Sequence, residues 1–398
     1  RKRLMHFKSV KKRNKGALVG VLGCMAERLK DKFLEEEQLV DIVIGPDAYR
    51  SLPDLIAEAE SGQKTINVLL SRDETYADIN PVRLNSNGVN AYVSITRGCD
   101  NICSFCVVPQ TRGRERSRHP DSILAEVQHL YDNGYKEVTL LGQNVDSYRW
   151  SEDEKIRGKK LIELRDTDKV FNFANLLEEV AKLAPDLRVR FSTSHPKDMH
   201  DNVLHIIAKY PNICNNVHLP VQSGNSELLK KMNRGYTREY YLDRIEAIRR
   251  IIPGCTISTD IITGFCGETN AQHSETISLM EAVKYNLSYM YFYSERPGTL
   301  AAKRYEDDVP EELKKSRLTE VISLQKKHSL AHNKNMVGET VEVLVEKYSK
   351  KSEDDLAGRD NRINMVVFPK GNAKPGDYVK VKITACTSNV LLGQLIEE

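Results

Sequence analysis

Residues Arg97 to Arg118 read RGCDNICSFCVVPQTRGRERSR, and the reading of the whole chain turns on Cys99, Cys103 and Cys106 inside this stretch. The C-x3-C-x2-C spacing places three thiols in one short loop, one fewer than the four thiolates that normally hold a four-iron cluster. A cluster bound this way keeps one iron open for a further ligand, and that ligand can be a reactant. A structural zinc site needs a fourth protein ligand and usually a second pair at its own spacing; His119, the nearest candidate, lies well past Cys106. The other five of the eight cysteines are scattered singly, which makes a chance triplet a poor explanation.

The 398 residues are enough for about two or three domains, and a composition of 40% hydrophobic and 29% charged residues is ordinary for a globular protein. No apolar run approaches the ~20 residues that cross a bilayer, so a membrane partner is not expected. The opening RKRLMHFKSVKKRNKG carries charge without the apolar stretch of a secretory signal. A cytoplasmic, reducing location is the expectation, and it suits unpaired thiols. The net charge is +3, yet Arg1 to Lys15 holds eight Lys and Arg and no acid, which leaves the remainder net acidic. This basic opening suits a solvated helix face or a nucleic-acid contact equally well. The chain begins with Arg and enters at once what reads as the middle of a domain, so an N-terminal piece is expected to be missing.

Outward from the cysteine loop, the chain alternates strands and helices. Residues 1–80 run strand, helix, strand, helix through ALVGVLGCMAE, ERLKDKFLEEE, DIVIG and DAYRSLPDLIAEAESG, an α/β domain. The polar NPVRLNSNGVN, Asn80 to Asn90, reads as a linker. From 91 to 334 six strand candidates follow: AYVSI, EVTLLG, RVRFSTS, NVHLPVQSG, TISTDIITGF and SYMYFYS. Between the first two, Ser122 to Asn133 puts Ile123, Leu124, Val127, Leu130 and Tyr131 on one helix face, with Asp121 expected as its cap and Gly134 as its end. Such β/α units build an open or closed parallel barrel whose chemistry gathers at the strand C-terminal ends, where the cysteine loop falls. Trp150 to Val170 is charged and aperiodic and reads as an inserted surface loop. A helix over Pro310 to Asn335 leads into 335–398, where Val341, Val343 and Val345, and again Val379, Val381 and Ile383, alternate with other residues. That period of two predicts a small antiparallel β-barrel.

The three-cysteine loop after the first strand, with Phe105 just before the last cysteine, resembles that of the radical-SAM enzymes, whose fold is a partial (β/α)6 barrel. The runs LLGQNVDSY, FSTSHP, HLPVQSGN, MNRGYTREYY, DIITGF, YSERPGT and GRDNRINMVVF extend the resemblance over essentially the whole chain to the methylthiotransferases of that superfamily, and to their tRNA branch in particular. The resemblance implies a transferase that inserts a methylthio group at carbon 2 of an N6-isopentenyl adenosine beside the tRNA anticodon. It also implies one S-adenosylmethionine as methyl donor and one as source of a 5′-deoxyadenosyl radical. Replacing an aromatic C–H by C–S is beyond acid–base side chains, so a cofactor carries the hard step and no catalytic base is assigned.

Further assignments follow from the same resemblance. Cys99, Cys103 and Cys106 ligate the radical-SAM [4Fe-4S] cluster. Cys24 matches the last of three cysteine ligands to a second, auxiliary iron-sulfur cluster, whose other two ligands fall before Arg1. Phe105, Gly142, Gln143, Asn144, Ser194 and Gln222 are the S-adenosylmethionine candidates. Arg112, Arg114, Arg116 and Arg118 recur at every second position and in an extended segment project to one side, which suits phosphate binding or ion pairing within the protein. Arg359, Arg362 and Lys382 of the terminal barrel, which resembles a TRAM domain, are candidates for tRNA backbone, and Tyr293, Arg296 and Pro297 for the substrate end of the last strand. The partners implied are a tRNA anticodon stem-loop and an electron donor, with the chain a monomer. Two rival functions stand beside this one: the methylthiotransferase that modifies an aspartate of a ribosomal protein, and a non-catalytic zinc RNA-binding protein.

Overall fold

A computed structural model describes residues 2–30, 32–36, 39–79, 81–84, 86–156, 158–165 and 167–396. Arg1 of the basic opening, Asn80 and Asn85 of the expected linker, and Arg157 and Asp166 of the expected insert lie outside the described residues. The chain divides into two compact units, one of Arg1–Tyr76, Arg97–Ile102 and Cys106–Arg116, the other of Ala77–Thr96, Cys103–Phe105 and Ser117–Glu398.

In the first unit three short strands, β1 (Gly20–Leu22), β2 (Ile42–Ile44) and β3 (Thr65–Asn67), pair in parallel in that order. All three residues of β2 are buried, as a central parallel strand covered on both faces requires. The helix Cys24–Leu29 starts immediately after β1, which sets Cys24 on its first residue. The basic opening is a helix, Lys2–Arg13, mostly solvated, with Lys11 paired to Asp41 at 2.6 Å.

In the second unit the six expected strands all form: β4 (Asn90–Ser94), β5 (Glu137–Leu141), β6 (Arg188–Ser192), β7 (Asn216–His218), β8 (Thr256–Thr263) and β9 (Leu287–Phe292). They build two parallel three-stranded sheets, β4-β5-β6 and β7-β8-β9, joined through an isolated parallel bridge from Val189 to Ile213. Strand alternation sorts the residues. Val93, Val138, Leu140, Val189 and Phe191 point outward into the core beneath the helices, with Ile123, Val127, Leu130, Leu176 and Val180. The opposite face of the first sheet is polar and carries the buried pair Arg190–Glu137, 2.8 Å.

The helix after β4 runs Pro120–Asp132, and its cap is His119, whose ring accepts from the Asp121 amide at 3.2 Å. Asp121 does not cap it. Pro120 occupies the first helical position and has no amide of its own, so the cap lies two residues before Asp121, at His119, and serves the Asp121 amide. The stretch Trp150 to Val170 is more than a surface loop: Arg149–Trp150 pairs antiparallel with Phe171–Asn172, Lys159–Glu163 is helical, and Ile156 is buried. The linker is tied down as well, since Arg83 pairs with Glu126.

The helix Glu311–Asn335 leads into a closed barrel of β10 (Thr340–Tyr348), β11 (Asp355–Arg359), β12 (Met365–Pro369), β13 (Tyr378–Cys386) and β14 (Leu391–Leu395). Val343, Val345, Val381 and Ile383 fill it with Leu356, Val366 and Phe368, as the alternation predicts. The pairing is antiparallel except at the closure, where Val366 and Val367 meet Leu391 and Leu392 in parallel. A single parallel pair lets five strands, an odd number, close without leaving an edge.

Candidate functional site

Gly98 enters the cysteine loop with a φ of 73°, and a β-carbon there would strike the Arg114 and Gly113 carbonyls, so only glycine allows the approach. The Cys99 amide donates to the Gly113 carbonyl at 3.3 Å, and the Val108 amide donates to Cys106 Sγ at 3.4 Å. Cys103 is fixed separately. The next residue, Ser104, donates its amide to the Met232 carbonyl and its hydroxyl to the Lys231 carbonyl, at 2.9 and 3.0 Å, and accepts from the Ala301 amide at 2.7 Å. Cys103 Sγ accepts from Arg234 at 3.1 Å. Among the described residues no cysteine is in a disulfide, and no group of three or more His, Cys, Asp or Glu stands at metal-holding distance.

The C-terminal ends of β5 and β6 bring together a buried polar group. Asn144 donates to Asp198 at 2.7 Å, and the His195 amide donates to Asp146 at 3.2 Å. Burial pushes the Asp146 carboxyl up to about 7, with Ser194 opposing and Asp198 adding to the rise. Burial, then Arg234 and Lys197, hold His195 well below its ordinary range, so its ring is neutral. Asn144 Oδ1, Asp146 Oδ1 and His195 Nε2 are buried without a hydrogen-bond partner among the described residues, atoms that a polar ligand would satisfy. Gly142 has no room for a β-carbon against Thr96. Gln222, buried at the end of β7, holds a φ of 71°, a left-handed conformation uncommon outside glycine and concentrated at functional sites. Gln143 is half-buried beside Asn144, and Phe105 packs on the cluster of Leu228, Met232 and Phe265.

The arginine series does not form a row. Gly113 at a φ of 70° breaks the extended backbone, and Arg112 caps the short helix Val108–Thr111. Arg112 donates to Cys24 Sγ at 3.1 Å, and Arg114, largely exposed, pairs with Asp100 at 2.9 Å. Arg116 is buried on Asp47 (2.9 Å) and the Ser71 carbonyl, and Arg118 is buried on Glu126 and Ser122. Arg116 and Arg118 therefore do not present their charge to a phosphate. In the terminal barrel Arg359 is likewise taken up by Glu346 at 2.5 Å, while Arg362 lies beside Gly254 and Lys382 is exposed. Arg296 and Pro297 are exposed beyond β9, but Tyr293 is buried edge-on against Phe265. Asp146, His195 and Arg234 lay inside motifs that were legible, NVDSY, TSHP and MNRGY, yet only burial distinguishes them.

Comparison with known proteins agrees with this architecture. Residues 93–280 match the Radical SAM superfamily and residues 334–396 the TRAM domain. A solved radical S-adenosylmethionine methyltransferase, TsrM from Kitasatospora setae, superposes with a TM-score of 0.55 at 15% identity, over 75% of this chain and 62% of that one. Fold and matched domains define a radical-SAM protein with a terminal TRAM barrel. Curated relatives called tRNA-2-methylthio-N(6)-dimethylallyladenosine synthase are 57% identical in Flavobacterium johnsoniae, 58% in Amoebophilus asiaticus and 53% in Bacteroides fragilis. They cover 98–100% of this chain, which spans 81–83% of their length. The chain belongs to that family, the MiaB tRNA methylthiotransferases, and is a radical-SAM transferase.

The family implies a [4Fe-4S] cluster and S-adenosylmethionine. The donors fit the cluster: three thiols outside any disulfide, two of which accept N–H hydrogen bonds on sulfur. The unpartnered polar atoms at the ends of β5 and β6 fit a zwitterionic ligand. No described helix is long and apolar enough to cross a membrane.

Proposed function

We propose that this chain inserts a methylthio group at carbon 2 of N6-isopentenyl adenosine in a tRNA anticodon stem-loop, consuming one S-adenosylmethionine for the methyl group and one for hydrogen abstraction. The observation that carries the proposal is the Cys99, Cys103, Cys106 loop following β4 in a chain 53–58% identical over nearly its full length to synthases of that name. When bound by these three thiolates, a four-iron cluster with one open iron supplies the electron that splits S-adenosylmethionine into a carbon radical. Asn144, Ser194 and Gln222, with Gly142 and Gln143, hold and orient the S-adenosylmethionine. Phe105, packed on Leu228, Met232 and Phe265, anchors the stretch next to Cys106. Cys24 is a ligand of an auxiliary cluster, with Arg112 as its hydrogen-bond donor. Arg114, Arg296, Arg362 and Lys382 meet the RNA backbone. The chain acts as a cytoplasmic monomer served by an external one-electron donor.

The test is incubation of the anaerobically reconstituted protein with S-adenosylmethionine, a reductant, and either isopentenylated tRNA or the ribosomal protein substrate. Methylthiolated adenosine in the nucleoside digest, with 5′-deoxyadenosine released, supports the proposal. Modification of the ribosomal aspartate and not the tRNA overturns it.

A further inference from the structure

Arg234 lies in the turn between the helices Ser226–Lys231 and Arg238–Ile251, flanked by Asn233 and Gly235, both at positive φ. Its side chain is buried. Nη1 donates to Cys103 Sγ at 3.1 Å, Nη2 to the Pro220 carbonyl at 2.8 Å, and Nε to the Tyr236 hydroxyl at 3.0 Å. Tyr236 is anchored in turn, donating to the Val221 carbonyl at 2.9 Å. The other buried arginines with named partners have carboxylates: Arg116 has Asp47, Arg118 has Glu126, Arg190 has Glu137 and Arg317 has Glu268. Among the described residues Arg234 has none within ion-pair distance. The ring beside it is that of Tyr236, whose centroid lies 5.4 Å from the guanidinium carbon.

A buried guanidinium without a counter-charge is strongly unfavourable. Of the three partners of Arg234 two are neutral oxygens, and the third is the sulfur of Cys103, the one atom among them that carries negative charge when it ligates iron. Cys103 is also held for the purpose, since Ser104 is pinned to the end of the same helix, Ser226–Lys231, that leads into the Arg234 turn. The arrangement is a rigid donor aimed at one sulfur.

We infer that Arg234 is a positioning residue for the iron-sulfur cluster: it supplies the counter-charge and an N–H···S hydrogen bond to the Cys103 thiolate, and so raises the reduction potential of the cluster that Cys103 ligates. The inference rests on the reading of Cys103 as a cluster ligand. Reduction takes one electron from an external low-potential donor, with no proton moved and no bond made or broken. The added negative charge falls beside a fixed cation in a dry environment, where attraction is strong, and hydrogen bonds to sulfur and local charge are the known determinants of such potentials.

The experiment compares the full reconstituted chain with Arg234→Met, Arg234→Lys and Tyr236→Phe by iron and sulfide content and by potentiometric titration of the reduced-cluster EPR signal. Arg234→Met is expected to move the midpoint to more negative potential at unchanged iron content. Arg234→Lys, which keeps charge but not the fork, falls between, and Tyr236→Phe shifts slightly in the same direction. An unchanged midpoint in Arg234→Met with full iron overturns the inference. If that variant misfolds and loses iron, unchanged midpoints in both Arg234→Lys and Tyr236→Phe overturn it instead. A parent chain that takes up no iron overturns the ligand reading itself, a result distinct from either.

Discussion

Spacing alone sets Cys99 apart with Cys103 and Cys106 from the other five cysteines, and the fold adds physical differences among them. Burial pushes the Cys214 thiol up to about 11 and Cys255 to about 12, so at neutral pH both are protonated and poor nucleophiles. We predict that alkylation of the folded protein leaves Cys214 unlabelled and that unfolding exposes it. Labelling of Cys214 in the native state, read by peptide mass spectrometry, contradicts its burial. Cys99→Ala, by contrast, is expected to abolish 5′-deoxyadenosine formation and to lower bound iron, whereas Cys214→Ser leaves both near the parent level. Asp146 allows a pH prediction. Between the ordinary carboxyl range and about 7 the folded state keeps a proton that the unfolded chain has lost, so stability falls as pH rises through that window and is unaffected below it. The loss is at most about 4 kcal/mol, with Asp198 and the neutral His195 as the facing groups. Asp146→Asn should flatten this slope in denaturant titrations run from pH 4 to pH 8; an identical slope in parent and variant would count against a buried, proton-bearing carboxyl.

At the scale of elements, periodicity was a good guide where one face of an element is apolar and a poor one elsewhere. The helix Pro120–Asp132 was legible because Ile123, Val127 and Leu130 all reach zero to one per cent exposure on one face. Its cap was not, because the choice between Asp121 and His119 depends on which backbone amide is left over behind Pro120. His119→Ala should cost about 1 kcal/mol of stability and His119→Ser much less, measurable by thermal unfolding. The helix Glu311–Asn335 buries Val321 but also Lys314, Arg317, Gln325, His328 and Ser329. Its length was readable. Its contacts were not, since Arg317 meets Glu268 at 2.9 Å and Gln325 donates to the Tyr285 carbonyl, pairings between residues far apart in sequence. The arginines of the cysteine loop carry the same lesson. An extended backbone would align Arg112 to Arg118, but one left-handed glycine and three separate acids send them to different places.

Across the second unit, the terminal barrel is fastened to the parallel sheets by the turn after β11. Arg188 donates to the Arg359 carbonyl at 2.7 Å, Arg190 to the Asp360 carbonyl at 2.6 Å, and Thr256 to the Arg362 carbonyl at 2.7 Å. The GRDNR motif is thus, in large part, a docking turn, which its charge alone does not reveal. Removing Arg190 leaves Glu137 buried with only the more distant Arg359, so Arg190→Met should destabilise the protein by about 3–5 kcal/mol. Faster proteolysis between the helix Glu311–Asn335 and β10 should accompany it. A variant as stable and as resistant as the parent would sink the docking role.

The chain by itself determined the three-thiol loop, the order of six β/α units and the small terminal barrel, because each rests on spacing along the backbone: ligand arithmetic, a period of 3.6 and a period of two. Only the tertiary structure decided which charges are spent inside the protein and which face outward. Whether a guanidinium meets a carboxylate, a carbonyl or a sulfur is set by contacts between distant segments. That is why Arg116 and Arg118 read as an RNA surface in sequence and as buried ion pairs in the fold, and why Arg234, unmarked in its motif, stands against Cys103.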